Sequence, residues 1–174
     1  MYKRQEQYLF YTSCLAAAKG KMVTVRTFDF GADRTMADAY QGVQSSKLGL
    51  RGIRSSLRNL PQMAVQICAL MRAAAKGPLR VMFPMVTDIE DWDSAMQVVD
   101  HCRRKLAERG EEFEPDVPFG VMLSIPAACL TAEDFTAHGC RFFVIGTNDL
   151  TQYTHAVSRE LAIAAVSYTH LTLP

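Results

Sequence analysis

Residues 119–123 read Phe-Gly-Val-Met-Leu, a short run that contains no charged or hydrogen-bonding side chain. Three further runs have nearly the same character, and they are Met22-Val23-Thr24-Val25-Arg26, Arg80-Val81-Met82-Phe83-Pro84-Met85 and Phe142-Phe143-Val144-Ile145-Gly146. None of the four alternates cleanly between apolar and polar residues. Near-continuous apolar strands of this length are typical of a parallel sheet that is covered on both faces. The sequence therefore predicts four parallel β-strands in an α/β protein.

Helical patterns separate these runs along the chain. An amphipathic helix is predicted over residues 6–19, with Gly20 as its left-handed cap. Longer helices are predicted over residues 60–76 and 88–109, the second with Asp88 as a capping residue and Gly110 as its stop. Strands and helices in alternation give right-handed crossovers and a parallel sheet. A doubly wound sheet and a (β/α)8 barrel both fit this order.

The residues that follow the predicted strands favour the barrel. The segment 26–33 is not the glycine-rich turn that a nucleotide-binding doubly wound sheet shows after its first strand. Polar residues close the strands instead: Arg26 the first, Ser124 the third, Asn148 and Asp149 the fourth. A barrel carries its chemistry at these strand ends and needs about 250 residues. The 174 residues therefore predict a partial (β/α)8 TIM barrel.

The composition narrows the class of protein. The chain is 49% hydrophobic and 21% charged, with a formal net charge of +1 and no basic block, which argues against nucleic acid or a membrane surface as a partner. Five cysteines without metal-type spacing indicate a reducing compartment. No apolar run approaches the roughly 20 residues of a membrane span. We therefore expect a cytoplasmic protein that holds any anionic ligand with a few placed cations.

Residues 146–154, Gly-Thr-Asn-Asp-Leu-Thr-Gln-Tyr-Thr, hold the most informative polar residues. A carboxylate such as Asp149 suits Mg2+, and the amide of Asn148 suits a phosphate or carboxylate oxygen. The alternative is that one of these two residues only caps a helix that begins near Leu150.

Arginines are the other candidates. Arg26 at a strand end needs an anionic partner, which is either a bound phosphate or carboxylate or a structural ion pair with Asp29. Arg51 and Arg54 lie one helical turn apart and could face one anion, although a solvated pair is the alternative that their spacing favours. Arg159 by itself is an ordinary surface cation.

Five motifs in order resemble a known family. They are residues 25–33 (Val-Arg-Thr-Phe-Asp-Phe-Gly-Ala-Asp), 48–54 (Leu-Gly-Leu-Arg-Gly-Ile-Arg), 80–85, 120–128 (Gly-Val-Met-Leu-Ser-Ile-Pro-Ala-Ala) and 145–153. Together they are similar to the PEP-utilising enzymes, most of all to the enzyme I type, the phosphoenolpyruvate-protein phosphotransferases of the sugar phosphotransferase system. The resemblance covers residues 6–160 and implies strands three to six of the family's barrel. It leaves 1–5 and 161–174 as ends that do not fit the family.

The resemblance also implies roles for particular residues. Arg26, Arg51 and Arg159 would hold or approach the substrate phosphate. Asn148 would contact the phosphate, and Asp149 would be a substrate-site residue and a ligand of a Mg2+ cofactor. Where the family has a second, glutamate ligand for Mg2+, this chain has Ser124, which predicts a weaker metal site because a neutral hydroxyl is a poor ligand for a hard cation.

The implied activity is transfer of a phosphoryl group from phosphoenolpyruvate to a protein histidine, with pyruvate released. By the same comparison, the acceptor histidine and the protonating cysteine lie outside this chain, so we expect it to be inactive alone. The expected partners of the whole protein are a phosphocarrier protein, reached through a preceding domain, and a second copy in a homodimer. The alternatives are a degenerate, non-catalytic module and a fragment of a pyruvate phosphate dikinase or phosphoenolpyruvate synthase.

Overall fold

A computed structural model describes residues 4–29 and 48–157, and within them strands and helices alternate as the sequence predicts. The strands are β1 (Val23–Arg26), β2 (Leu79–Phe83), β3 (Phe119–Leu123) and β4 (Phe143–Ile145). The helices are α1 (Arg4–Ala17), α2 (Ile53–Arg58), α3 (Leu60–Ala74), α4 (Ile89–Glu108), α5 (Pro126–Leu130), α6 (Ala132–Ala137) and α7 (Thr147–His155). All four predicted strands are confirmed.

The strands form one parallel sheet in the order β1-β2-β3-β4. Each strand is therefore hydrogen-bonded to its neighbour along the chain, which is the strand order of a barrel rather than of a doubly wound sheet. The sheet curls with its helices on one side. The prediction of an α/β fold that is part of a barrel is confirmed.

One face of the sheet packs against the helices and forms the core. Alternate strand residues point this way, and they are buried because α3 and α4 cover them; they include Leu79, Val81, Phe83, Phe119 and Val121. The single tryptophan, Trp92 on α4, lies in this core with no exposed surface. Its ring lies edge-on to Phe83 at 6.0 Å, and its indole N–H donates to the backbone oxygen of His138, which ties α4 to the end of α6.

Local signals explain where the helices begin and end. Asp88 caps α4 as predicted, because its carboxylate accepts from the backbone N–H of Asp91 at 2.9 Å. Asn59 does the same for α3, with Pro61 in the first turn. The first helix covers residues 4–17 rather than 6–19, and Gly20 has a φ of +80° in the turn that follows. None of the described helices is long and apolar enough to cross a membrane.

The other face of the sheet is half-buried. Arg80 on β2 lies on this face, where its Nε donates to the Thr24 hydroxyl at 2.8 Å and its guanidinium lies 4.4 Å from the centre of the Phe142 ring. Gly120 on β3 lets Phe142 approach, since a Cβ at residue 120 would lie 2.3 Å from the Phe142 carbonyl oxygen. Arg26 has the same parity along β1 as Thr24, so it belongs to this face at the carboxyl end of the strand.

Candidate functional site

The carboxyl ends of the strands form an edge that carries the polar residues, and Arg26 is its exposed cation. Within residues 4–29 and 48–157 the Arg26 side chain makes no ion pair or hydrogen bond, and the residue is exposed. The predicted alternative of a structural pair with Asp29 is wrong, because the Asp29 carboxylate binds Arg51 instead. Arg26 therefore has a charge that an external anion can reach.

Arg51 is the buried cation of the same edge, with 4% of its surface exposed. Its Nε and Nη2 donate to the two oxygens of Asp29 at 3.2 and 2.7 Å, which is a two-point ion pair. The same Nη2 lies 3.5 Å from Oδ2 of Asp149, and Nη1 lies 3.4 Å from the Tyr153 hydroxyl. The alternative of a solvated Arg51–Arg54 pair is wrong, since Arg51 is buried and Arg54 donates to the Thr87 hydroxyl at 2.6 Å.

These contacts show how far the sheet curls. Asp29 follows β1, which is one edge strand, whereas Asp149 and Tyr153 belong to α7, which follows the opposite edge strand β4. A single guanidinium reaches groups from both ends of the sheet. The carboxyl ends of the four strands therefore face one common space.

The backbone around Arg51 is fixed by a close turn. Gly52 has a φ of +56°, a conformation that favours glycine, and a Cβ there would lie 2.7 Å from Cβ of Met85. The N–H of Ile53 then donates to the carbonyl oxygen of Pro84, just beyond β2, at 3.0 Å. The sequence Leu-Arg-Gly-Ile thus places Arg51 against the end of the second strand.

Asp149 presents a carboxylate oxygen that has no partner. Helix α7 begins at Thr147 with Gly146 as its capping residue and no side-chain cap, so the alternative that Asn148 or Asp149 caps a helix near Leu150 is wrong. Asn148 is exposed, whereas Asp149 is 8% exposed. In the part of the chain that the structure describes, Oδ1 of Asp149 is buried without a hydrogen bond. A buried carboxylate oxygen without a donor is costly unless a cation reaches it.

The charges in this cluster alter the pKa values of its members. Burial by itself would lower the pKa of the Arg51 guanidinium, but the hydrogen bonds and charge of Asp29, with the charge of Asp149, raise it above the usual value. Burial raises the pKa of the Tyr153 phenol. Arg51 is therefore cationic and Tyr153 neutral at physiological pH. Two carboxyl groups, those of Asp29 and Asp149, thus lie against one guanidinium.

Ser124 is buried beside the same edge, at 1% exposure. Its hydroxyl donates to the backbone oxygen of Met122 at 3.3 Å, and its Cβ would lie 3.1 Å from a Cβ added at Gly146. Among the described residues there is no group of three or more His, Cys, Asp or Glu side chains that could hold a metal ion. Oδ1 of Asp149 is therefore a single candidate ligand at this edge, and a Mg2+ held there would keep most of its waters, as this ion usually does. The Mg2+ cofactor and its ligand stay predictions.

The structure brings three of the predicted site residues, Arg26, Arg51 and Asp149, to one edge of the sheet, with Asn148 on the first turn of α7. Arg159, the fifth, lies outside the described residues. The functional roles predicted for all five stay predictions. Sequence reasoning did not assign Asp29 to Arg51 and gave Tyr153 no role in the site. The position of Asp29 three residues beyond the end of a strand was the available signal for it.

The fold and this edge together define an α/β domain of the barrel type. In residues 4–29 and 48–157, its strand ends carry an exposed arginine, Arg26, and a buried carboxylate oxygen of Asp149 that has no hydrogen bond. The chain belongs to the PEP-utilising enzyme family: the model of the family's PEP-binding domain matches residues 1–173. The match includes both terminal segments, and the boundaries that we expect after residues 5 and 160 stay predictions.

Three proteins similar to this chain carry the same name. The phosphoenolpyruvate-protein phosphotransferase of Cupriavidus necator is 39% identical over 157 residues, which is 88% of this chain. Those of Enterococcus faecalis and Haemophilus influenzae are 38% identical over 158 and 36% identical over 156 residues, each covering 89% of this chain. The chain spans about a quarter of the length of these relatives, 27% in each case.

Proposed function

We propose that this chain is the phosphoenolpyruvate-binding part of an enzyme that transfers a phosphoryl group from phosphoenolpyruvate to a protein histidine. The observation that carries the proposal is Arg26, an exposed cation at the carboxyl end of β1 that pairs with no side chain among the described residues. Family membership and the name shared by the relatives support the same substrate and reaction.

Arg26 binds the substrate phosphate in this proposal, because a guanidinium matches phosphate oxygens in a two-point contact. Asn148 and Arg159 contribute further contacts to the phosphate. Asp149 would hold Mg2+ through its unpaired oxygen, and the ion, when bound, would neutralise charge on the transferring phosphoryl group. Because Ser124 stands where the family has a glutamate, the chain's own residues hold the ion weakly.

The whole protein in this proposal serves sugar transport in the cytoplasm. It forms a homodimer and passes the phosphoryl group to a phosphocarrier protein, and its PEP-binding domain is a complete TIM barrel.

Calorimetric titration of the chain with phosphoenolpyruvate in the presence of Mg2+ tests the proposal. Arg26→Gln should weaken binding about tenfold or more, because it removes a charge-assisted contact to the phosphate. Arg141→Gln is the matched control, since Arg141 is also exposed but precedes β4, at the opposite end of the sheet. Absence of binding to the native chain, or equal losses in both variants, would overturn the proposal.

Ser124 favours a second candidate, a non-catalytic module that has lost its metal and retains only the fold. The Ser124 hydroxyl is neutral and buried, and a neutral hydroxyl is a poor replacement for a carboxylate as a ligand of a hard divalent cation. The same titration separates the two functions. A module of this kind binds neither phosphoenolpyruvate nor Mg2+ until a carboxylate is restored at residue 124.

A further inference from the structure

Arg51 has few donors left for a phosphate. A guanidinium carries five N–H groups. In Arg51 the Nε–H and one Nη2–H bond to Asp29, one Nη1–H bonds to Tyr153, and Nη2 also faces Asp149. A two-point contact with phosphate would have to displace Asp29, and the Arg51 side chain is 5% exposed. The geometry therefore argues against Arg51 as a direct phosphate ligand.

The two carboxylates around Arg51 are held unequally. Asp29 makes a two-point contact with Arg51, and its shorter distance, from Nη2 to Oδ2, is 2.7 Å. Asp149 makes only one contact with Arg51, from Nη2 to its Oδ2 at 3.5 Å. The other oxygen of Asp149 has no partner among the residues that the structure describes. Asp29 thus occupies the side of the guanidinium that would otherwise be available to Asp149.

We propose that Asp29 is a positioning residue. Its two-point contact holds the Arg51 guanidinium so that Arg51 orients Asp149 through a single contact and forms no two-point ion pair with it. One oxygen of Asp149 thus stays available to a cation. This inference rests on the proposed function only in taking a divalent cation as the ligand of Asp149. Without Asp29, the only other carboxylate among the described residues that forms an ion pair with the buried Arg51 is that of Asp149, and a two-point Arg51–Asp149 pair would compete directly with the metal.

Binding of Mn2+ alone, followed by electron paramagnetic resonance, provides the first test. Asp29→Asn should weaken Mn2+ binding about tenfold, because the freed guanidinium pairs with the metal ligand. The double variant Asp29→Asn/Arg51→Gln should bind Mn2+ more tightly than Asp29→Asn, since the competing cation is gone, but less tightly than the native chain, since Arg51 no longer orients Asp149. Asp100→Asn is the matched control, because Asp100 also pairs with an arginine, Arg103, but on the surface of α4.

The crystal structure or the arginine side-chain NMR spectrum of Asp29→Asn provides a second test that needs no metal. The expected result is a two-point contact between Arg51 and Asp149. An Arg51 side chain that keeps its native position, or a double variant that binds Mn2+ no more tightly than Asp29→Asn, would overturn the positioning role. If the native chain binds neither Mn2+ nor phosphoenolpyruvate, the proposed function fails, and the position of Arg51 in Asp29→Asn still decides the role of Asp29.

Discussion

Replacement of Ser124 by glutamate should make the stability of this fold depend on Mg2+. Ser124 is 1% exposed, and it lies beside the first residue after β4. A carboxylate introduced there without a cation is a buried unpaired charge, for which the cost is about 3–5 kcal/mol. For a chain of this size such a loss lowers the Tm by roughly 10 °C.

Mg2+ should return most of this stability to the glutamate variant. At a free concentration one hundred times Kd, a ligand of the folded state alone adds about 2.7 kcal/mol. The expected rise in Tm is therefore about 5–10 °C for Ser124→Glu. The native chain should respond much less, because Asp149 offers one free carboxylate oxygen in the described part of the site and Ser124 offers no carboxylate.

Thermal unfolding by circular dichroism, with and without Mg2+, measures both effects. Ser124→Gln is the control, because glutamine has the size of glutamate without its charge and so isolates the steric cost of a larger side chain. An equal Mg2+ response in the glutamate and glutamine variants would show that residue 124 does not face the cation. A native chain that responds to Mg2+ as strongly as the glutamate variant would refute the claim that Ser124 weakens the metal site.

Three further outcomes are expected. Gly120→Ala should lower the free energy of unfolding in urea by about 3 kcal/mol, because its Cβ would lie 2.3 Å from a backbone oxygen, whereas Gly77→Ala meets only ordinary contacts at 3.5 Å and should change little. Burial raises the pKa of the Tyr11 phenol above its ordinary value of 10.0, so the native chain keeps its full stability below pH 10.0 and loses stability as the pH rises through the folded-state pKa. In Tyr11→Phe this loss of stability at alkaline pH should disappear. Gly52→Ala should cost more than Gly49→Ala in the same urea assay, since both have positive φ values but only residue 52 lacks room for a Cβ. Equal losses within either glycine pair, or an unchanged alkaline profile for Tyr11→Phe, would contradict these expectations.

The strands and the two long helices could be predicted because their signals are local. Near-continuous apolar runs indicate strands of a parallel sheet, and the Asp88 cap fixes the start of α4. The start of α7 was harder to predict. Gly146 is its capping residue and has no side chain to accept a hydrogen bond, whereas Asn148 and Asp149 are residue types that cap helices more often.

The partners of Arg51 could not be predicted from spacing. Asp29 lies 22 residues before Arg51 and Tyr153 lies 102 residues after it. Asp29, Arg51 and Tyr153 are neighbours only because the sheet curls and brings the ends of β1 and β4 together. Spacing alone favours a solvated pair of Arg51 and Arg54. In the structure, long-range packing buries Arg51, and Arg54 donates to the Thr87 hydroxyl.

The position of Trp92 gives the chain an internal optical probe. Because it is the only tryptophan, its fluorescence can be excited selectively, and its emission reports one place in the molecule. That place is the junction of the β2 core with α4 and the end of α6. Any separation of α6 and β4 from the rest of the sheet would hydrate the indole and shift its emission to longer wavelength, whereas ligand binding at the strand ends would leave it unchanged. Loss of the fold and loss of the ligand site can therefore be distinguished in every variant without adding a label.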